Sequence, residues 1–358
     1  MKICFLGDAA SIHIRRWCEY FRGKGDKVSI ISFRDAEIPG VNVIYIGDKL
    51  NINSEGGNLT YLKKIWTIKK IISDLKPDIV NAHYLTSYGF LAALTRIKPL
   101  VVSTWGSDIL VTPKRNIIYK KLTEFVIKRS TLITSDSNFM SEEIVNLGGK
   151  KENIITAPMG IDITNFNLVG RSNENKNTFL SMRTICKNSN IEYILNAFKN
   201  VIKQKPYAKL IITNSGEIEE KILNLIKELS LEGNVEFLGF INRERVEELL
   251  KNCDIYLSIP TSDSTSVNLL EAMACGIFPI VSNIPANKEW IESEVNGLIL
   301  EELNVDKLTK VMLEALENNS LRESAIGVNN KIINERAIWS DNMAYIRENY
   351  VKLISKEE

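Results

Sequence analysis

Pro260-Thr261-Ser262-Asp263-Ser264-Thr265-Ser266-Val267-Asn268-Leu269-Leu270-Glu271-Ala272-Met273-Ala274-Cys275-Gly276 lies between two short apolar runs. Before it, Ile255–Ser258 is a short apolar run without alternation, the pattern of a strand buried on both faces. A small polar loop follows, then a helix starting near Ser266 or Val267, then a second apolar run at Phe278–Val281. Strand, loop, helix, strand is the repeating unit of a parallel sheet. Ligands of such sheets gather at the carboxyl ends of the strands, so this loop is where chemistry is expected. Its small residues let backbone N–H groups approach a ligand, and the helix start favours phosphate. Asp263 precedes the helix and Glu271 lies inside it, eight positions on. Two carboxylates repel a phosphate but accept hydrogen bonds from sugar hydroxyls.

The same alternation extends in both directions. Downstream of residue 178, strands are predicted at Phe179–Met182, Leu210–Thr213, Val235–Leu238, Ile255–Ser258, Phe278–Val281 and Leu298–Leu300. Helices are predicted between them at Ile191–Lys203, Ile218–Leu229, Arg243–Lys251, Val267–Cys275 and Val305–Glu317. Leu321–Leu353 reads as two helices divided near Trp339-Ser340-Asp341, with Ser340 as a cap. The first half repeats the scheme, with strands at Ile3–Gly7, Val28–Phe33, Val43–Ile46, Ile79–Ala82, Leu100–Thr104, Leu132–Thr134 and Ile154–Ala157. Helical patterns there cover Ile12–Arg22, Leu59–Leu75, Tyr88–Thr95, Asn116–Lys128 and Met140–Leu147. Leu168–Thr178 is rich in Asn, has little to bury and reads as a linker. The expected fold class is α/β, as two consecutive Rossmann-like, doubly wound units.

Length and composition agree. The chain has 358 residues, enough for about two domains, with 44% hydrophobic and 25% charged residues. No apolar run is long enough to span a bilayer, and the first residues read as a strand, not a signal peptide. Cys4, Cys18, Cys186, Cys253 and Cys275 are scattered, which points away from zinc and disulfides and toward a reducing, cytoplasmic setting. Only two histidines occur, and no bound metal is expected. Net charge is +1, divided as +7 over residues 1–162 and −6 over the rest. A basic half suits an anionic partner surface. Lys63, Lys64, Lys69 and Lys70 interleave with Ile65, Trp66 and Ile68, and Lys114, Arg115, Lys120, Lys121, Lys128 and Arg129 follow on a second helix. Such stretches suit an anionic membrane, or simply a lysine-rich outer face. No nucleic-acid partner is expected.

With these residues in hand, the chain resembles the retaining GT-B glycosyltransferases of family four. Their signature, two acids separated by seven residues, stands here as Asp263 and Glu271, followed by Ala272-Met273-Ala274-Cys275-Gly276 and Pro279-Ile280-Val281. Met182-Arg183 matches the family's diphosphate arginine, Asn214-Ser215-Gly216 its G-x-G turn, and Leu238-Gly239-Phe240 its base-binding region. Met159-Gly160-Ile161-Asp162 resembles the family's N-G-V-D turn, and Thr104-Trp105-Gly106-Ser107-Asp108 its T-x-H-G-x-D loop. The resemblance implies two Rossmann-like domains facing across a cleft: residues 1–165 for the acceptor, joined by a C-terminal helix over 340–358, and residues 166–339 for the nucleotide sugar. It implies metal-independent transfer of a sugar from a nucleoside-diphosphate donor, UDP-linked ahead of GDP-linked, to a glycan or lipid-linked acceptor in cell-surface polysaccharide or glycolipid synthesis. The setting implied is cytoplasmic, at the inner face of the plasma membrane.

Residue by residue, the resemblance makes Arg183 and Asp263 catalytic, and gives the donor site Glu271, Thr265, Ser266, Val267, Gly216, Gly239 and Lys187. His13, just after the first strand, and Asp108 are further catalytic candidates; capping is the rival for Asp108. His83 is a weaker candidate. Three departures stand out: Asp263 is one methylene shorter than the family's Glu, Trp105 replaces a His, and Asn214 replaces a Gly. Lys187 lies near the family's lysine, but the following helix aligns Asn188 or Ser189 with that place. A nucleotide-sugar epimerase and a catalytically silent partner subunit are the competing readings.

Overall fold

The computed structural model describes residues 1–47, 59–171 and 177–355, and the middle of the expected linker, residues 172–176, lies outside that range. The chain divides into two compact units, Met1–Pro158 with Asp341–Glu358, and Met159–Ser340.

In the first unit, strands β1 (Lys2–Leu6), β2 (Lys27–Ser32), β3 (Asn42–Tyr45), β4 (Ile79–His83), β5 (Leu100–Ser103), β6 (Leu132–Ser135) and β7 (Ile154–Thr156) form one sheet ordered β3-β2-β1-β4-β5-β6-β7. Every pairing is parallel, for example Cys4 with Ser29 and Val80. Helices α1 (Ile12–Gly23), α2 (Ile65–Leu75), α3 (Phe90–Thr95), α4 (Ser107–Leu110), α5 (Thr112–Arg115), α6 (Ile117–Arg129) and α7 (Asn138–Asn146) make the crossovers. Residues of β4, β5 and β6 are buried throughout, as continuous apolar runs require. Strand order reverses between β1 and β4, and in parallel sheets ligands gather at the carboxyl ends beside such a reversal.

The second unit has the sheet β10-β9-β8-β11-β12-β13, all parallel, built from β8 (Thr178–Ser181), β9 (Lys209–Thr213), β10 (Val235–Gly239), β11 (Ile255–Ser258), β12 (Phe278–Ser282) and β13 (Leu298–Leu300). Its helices are α8 (Ile191–Gln204), α9 (Glu219–Glu228), α10 (Arg243–Asn252), α11 (Val267–Ala274), α12 (Pro285–Lys288), α13 (Val305–Glu317) and α14 (Asn319–Arg336). Apolar side chains pack on both faces of this sheet: Phe179, Leu210 and Ile255 into one cluster, Leu180, Tyr256 and Leu269 into another. The reversal lies between β8 and β11, so the loops after these two strands share one edge.

The last helix, α15 (Trp339–Ser355), belongs with the first unit, as expected. It buries Met343, Ile346 and Tyr350. Tyr350 stacks on Phe21 at 5.5 Å and donates to Asn81 Oδ1 at 2.9 Å, while Arg347 forks onto Asp26 at 2.8 and 3.0 Å. The helix begins at Trp339, so Ser340 lies in its first turn and not before it. Among the described residues no helix is long and apolar enough to cross a membrane.

Candidate active site

Arg183 follows β8, and the Asp263 loop follows β11, on the two sides of the second unit's reversal. Three contacts explain why they meet. Asn268, in the first turn of α11, donates to the Met182 carbonyl at 2.7 Å and draws that turn against the end of β8. Asn188 clasps the 260–266 loop: its Nδ2 donates to Ser262 O at 2.9 Å, and its Oδ1 accepts from Thr261 Oγ1 at 2.7 Å and Ser262 N at 3.0 Å. Ile185 N–H donates to Ser215 O at 3.1 Å, fastening the Arg183 loop to the turn after β9. Gly216 makes that last contact possible, because a Cβ there would stand 2.2 Å from the Ile185 carbonyl oxygen.

The result is an ion pair between Arg183 and Asp263, with Arg183 Nη1 also 3.5 Å from Ser266 Oγ. The two side chains are only 15% and 20% exposed. Burial works against the arginine's charge, but Asp263 and then Tyr256 outweigh it and hold its pKa above the ordinary value. Tyr256 lies beneath, fully buried, its phenol pushed up to about 12 by burial. Ser266 caps α11, its Oγ accepting from Leu269 N, and Val267 is the first helical residue. The first amides of a helix have no carbonyl partner within it, so this end carries partial positive charge beside Arg183. Thr265 and Ser266 are buried at this edge.

Glu271 is fully buried, and Arg243, the first residue of α10, reaches it with Nη2 2.7 Å from Oε1. The Arg243 guanidinium also lies 4.1 Å over the Phe166 ring, while its side chain remains 48% exposed. Each acid of the pair thus has its own arginine. Gly239 adopts φ +62° with open space around it, next to the exposed Phe240. Lys187 points into solvent from a short 3₁₀ turn, and the adjacent Asn188 makes the loop contacts instead. Arg243, Asn188 and Asn268 were not anticipated from sequence. Asn188 had a signal, since either it or Ser189 aligns with the family's lysine; Arg243 had none beyond its place after β10.

In the first unit, His13 and His83 stand at the β1–β4 reversal with Trp105, which follows β5. The Trp105 ring is 5.2 Å from His13 and 5.5 Å from His83. Phe5 and Trp17 meet His83 edge-on at 5.5 and 4.8 Å. Burial, and then the neighbouring His13, push the His83 pKa down to about 3, so its ring is neutral. His13 is also held below its ordinary value, by burial and then by Arg16. Asp108 is fully buried and accepts from Leu85 N at 2.8 Å and Trp105 N at 3.0 Å. Burial, opposed by these backbone bonds, raises its pKa. Both oxygens are committed to amides, so Asp108 fixes the loops after β4 and β5 as a cap does.

Two known family models match the chain. Residues 162–331 match the model of the glycosyl transferases group 1, and residues 2–137 that of the glycosyl transferase 4-like group. This chain belongs to the group 1, family-four glycosyltransferases. It is a nucleotide-sugar-dependent glycosyltransferase with the GT-B fold. Among its relatives is the N,N'-diacetylbacillosaminyl-diphospho-undecaprenol alpha-1,3-N-acetylgalactosaminyltransferase of Campylobacter jejuni, 25% identical over 90% of this chain and 91% of that protein. The N-acetyl-alpha-D-glucosaminyl L-malate synthase of Bacillus anthracis is 26% identical over 69% of this chain and 67% of that protein. At the level of fold, Anabaena HepE in complex with UDP and glucose superimposes with a TM-score of 0.80 at 17% identity, covering 98% of this chain and all of HepE.

Proposed function

We propose that this glycosyltransferase takes its sugar from a UDP-linked donor held on the second unit and passes it, with retention, to a hydroxyl of a lipid-linked glycan bound by the first. The observation that carries the donor reading is Arg183 beside the N-terminus of α11, flanked by Asp263 and Glu271. Arg183 and the amides around Thr265, Ser266 and Val267 would face the diphosphate, Glu271 the ribose and Asp263 the sugar. As the bond from the anomeric carbon to the diphosphate breaks, negative charge grows on the leaving phosphate. A fixed guanidinium and helix amides stabilise that charge without rearrangement. The acceptor oxygen bonds to the anomeric carbon on the same face, and its proton passes to the leaving phosphate oxygen, so no protein nucleophile is needed. His13, with Trp105 beside it, is assigned to the acceptor side. Asp108 acts by holding the Trp105 loop.

UDP is favoured by the HepE complex, and the lipid-linked acceptor by the Campylobacter relative's name. The first unit's surface supports attachment to an anionic membrane. Trp66, Ile117 and Ile118 are exposed at the first turns of α2 and α6, among Lys63, Lys69, Lys70, Lys114, Arg115, Lys120 and Lys121. Both helices run antiparallel to the strands they connect, so these turns lie at the carboxyl edge of the sheet. Incubating the protein with UDP- and GDP-sugars and following slow hydrolysis tests the donor assignment. Release of UDP from at least one UDP-sugar is expected, and cleavage of GDP-sugars alone would replace the base assigned here.

A further inference from the structure

Asp263 has an unexpected partner for an acid assigned to sugar hydroxyls. Its carboxylate is paired with Arg183, the guanidinium assigned to the donor diphosphate. The remaining oxygen accepts from Ser264 N–H at 2.9 Å, so the carboxylate is held at both ends. The loop that carries it is itself fixed, because Asn188 ties Thr261 and Ser262 to the turn after β8. An acid in such a loop does not swing freely, and with one methylene its reach is short. A diphosphate that takes the Arg183 Nη1–H must take it from the Asp263 carboxylate.

We propose that Asp263 is a built-in placeholder anion, which occupies Arg183 until an intact sugar nucleotide arrives and thereby selects donor over nucleoside diphosphate product. This inference rests on the donor-site reading above. When the diphosphate takes Arg183, the carboxylate loses its charge partner. A donor sugar compensates, because its hydroxyls donate to the displaced carboxylate. A bare nucleoside diphosphate offers no such hydroxyl, so Asp263 reclaims Arg183 and helps expel the product. Asp263 therefore raises the cost of binding UDP more than that of binding the UDP-sugar.

Isothermal titration of the full chain with UDP, GDP and a panel of UDP-sugars tests the idea, using wild type, Asp263→Asn and Asp263→Ser. Circular dichroism checks folding, and the serine variant serves if the asparagine variant folds poorly. Without the acid, UDP should bind roughly tenfold more tightly, about the effect of one charge-assisted hydrogen bond. The UDP-sugar should gain less, so the preference for donor over UDP should narrow. In an Arg183→Ala background the same substitution should give no gain, because the placeholder acts through that arginine. Unchanged or weaker UDP binding in the folded variants overturns the placeholder, and so does an equal gain without Arg183, which would be plain repulsion. Failure of the wild type to bind UDP, GDP or any sugar nucleotide would instead remove the donor site itself, and the placeholder with it.

Discussion

Arg243 provides the sharpest test of the second unit's internal electrostatics. Arg243→Ala removes the guanidinium 2.7 Å from the fully buried Glu271 and strips it from the Phe166 ring. Breaking a fully buried ion pair from one side costs about 3–5 kcal/mol. Arg243 is 48% exposed, so solvent screening reduces the pair's share to about 1–2 kcal/mol. Loss of the cation–ring contact adds about 0.5–1 kcal/mol. The expected destabilisation is about 2 kcal/mol, which for a unit of this size lowers its melting temperature by roughly 4–8 °C. Glu271→Gln leaves Arg243 able to hydrate and should cost less. A double-mutant cycle by scanning calorimetry should give a coupling of about 1 kcal/mol between the two positions. Arg243→Ala melting like wild type, with coupling indistinguishable from zero, would refute the pairing and the reason given for a buried acid at 271.

Glu271→Ala should chiefly raise the donor's KM, since the ribose contact proposed for Glu271 is one made before and during transfer; a fall in kcat alone would contradict the role. His83 is neutral in the folded protein with a pKa near 3, whereas its unfolded value is near 6.5. Between those values the unfolded chain binds a proton that the folded chain does not, so stability falls on acidification by up to about 1.4 kcal/mol per pH unit. His83→Phe should flatten that slope in urea unfolding at pH 6.5 and 5, and an unaltered slope would count against it. Arg347→Ala should loosen α15 from the first unit by about 1–2 kcal/mol, because Asp26 also meets the N-terminal amine at 3.0 Å; hydrogen exchange in α15 that matches wild type would oppose this. Trp66→Ser with Ile118→Ser should weaken flotation on anionic vesicles at low salt, and equal recovery with neutral vesicles would remove the membrane surface.

Much of the fold could be read from strand runs and helix periodicity, because parallel strands buried on both faces leave a plain apolar mark. The doubly wound class followed from alternation, whereas the return of α15 was implied by the family resemblance; its Met343, Ile346 and Tyr350 are spaced for one buried face. Other features depend on contacts between distant segments. Arg243 and Arg245 look alike in sequence, but the first meets Glu271 and the second pairs with Glu248 on the surface. Lys187 and Asn188 are neighbours in a 3₁₀ turn, and the turn's direction sends one outward and the other onto the 260–266 loop. The short helices α4 and α5 carry too few residues for periodicity to reveal them. Asp108 reads equally as a cap or a catalytic acid until its two backbone partners are seen.

Arg183 and the start of α11 are proposed to receive the donor's diphosphate. Turnover of the preferred UDP-sugar by Arg183→Ala tests it most directly, with folding checked by circular dichroism. Loss of a preorganised charge partner from a leaving group that grows more anionic predicts a drop of roughly 10²–10³-fold in kcat. Wild-type turnover by a folded Arg183→Ala protein would contradict the assignment.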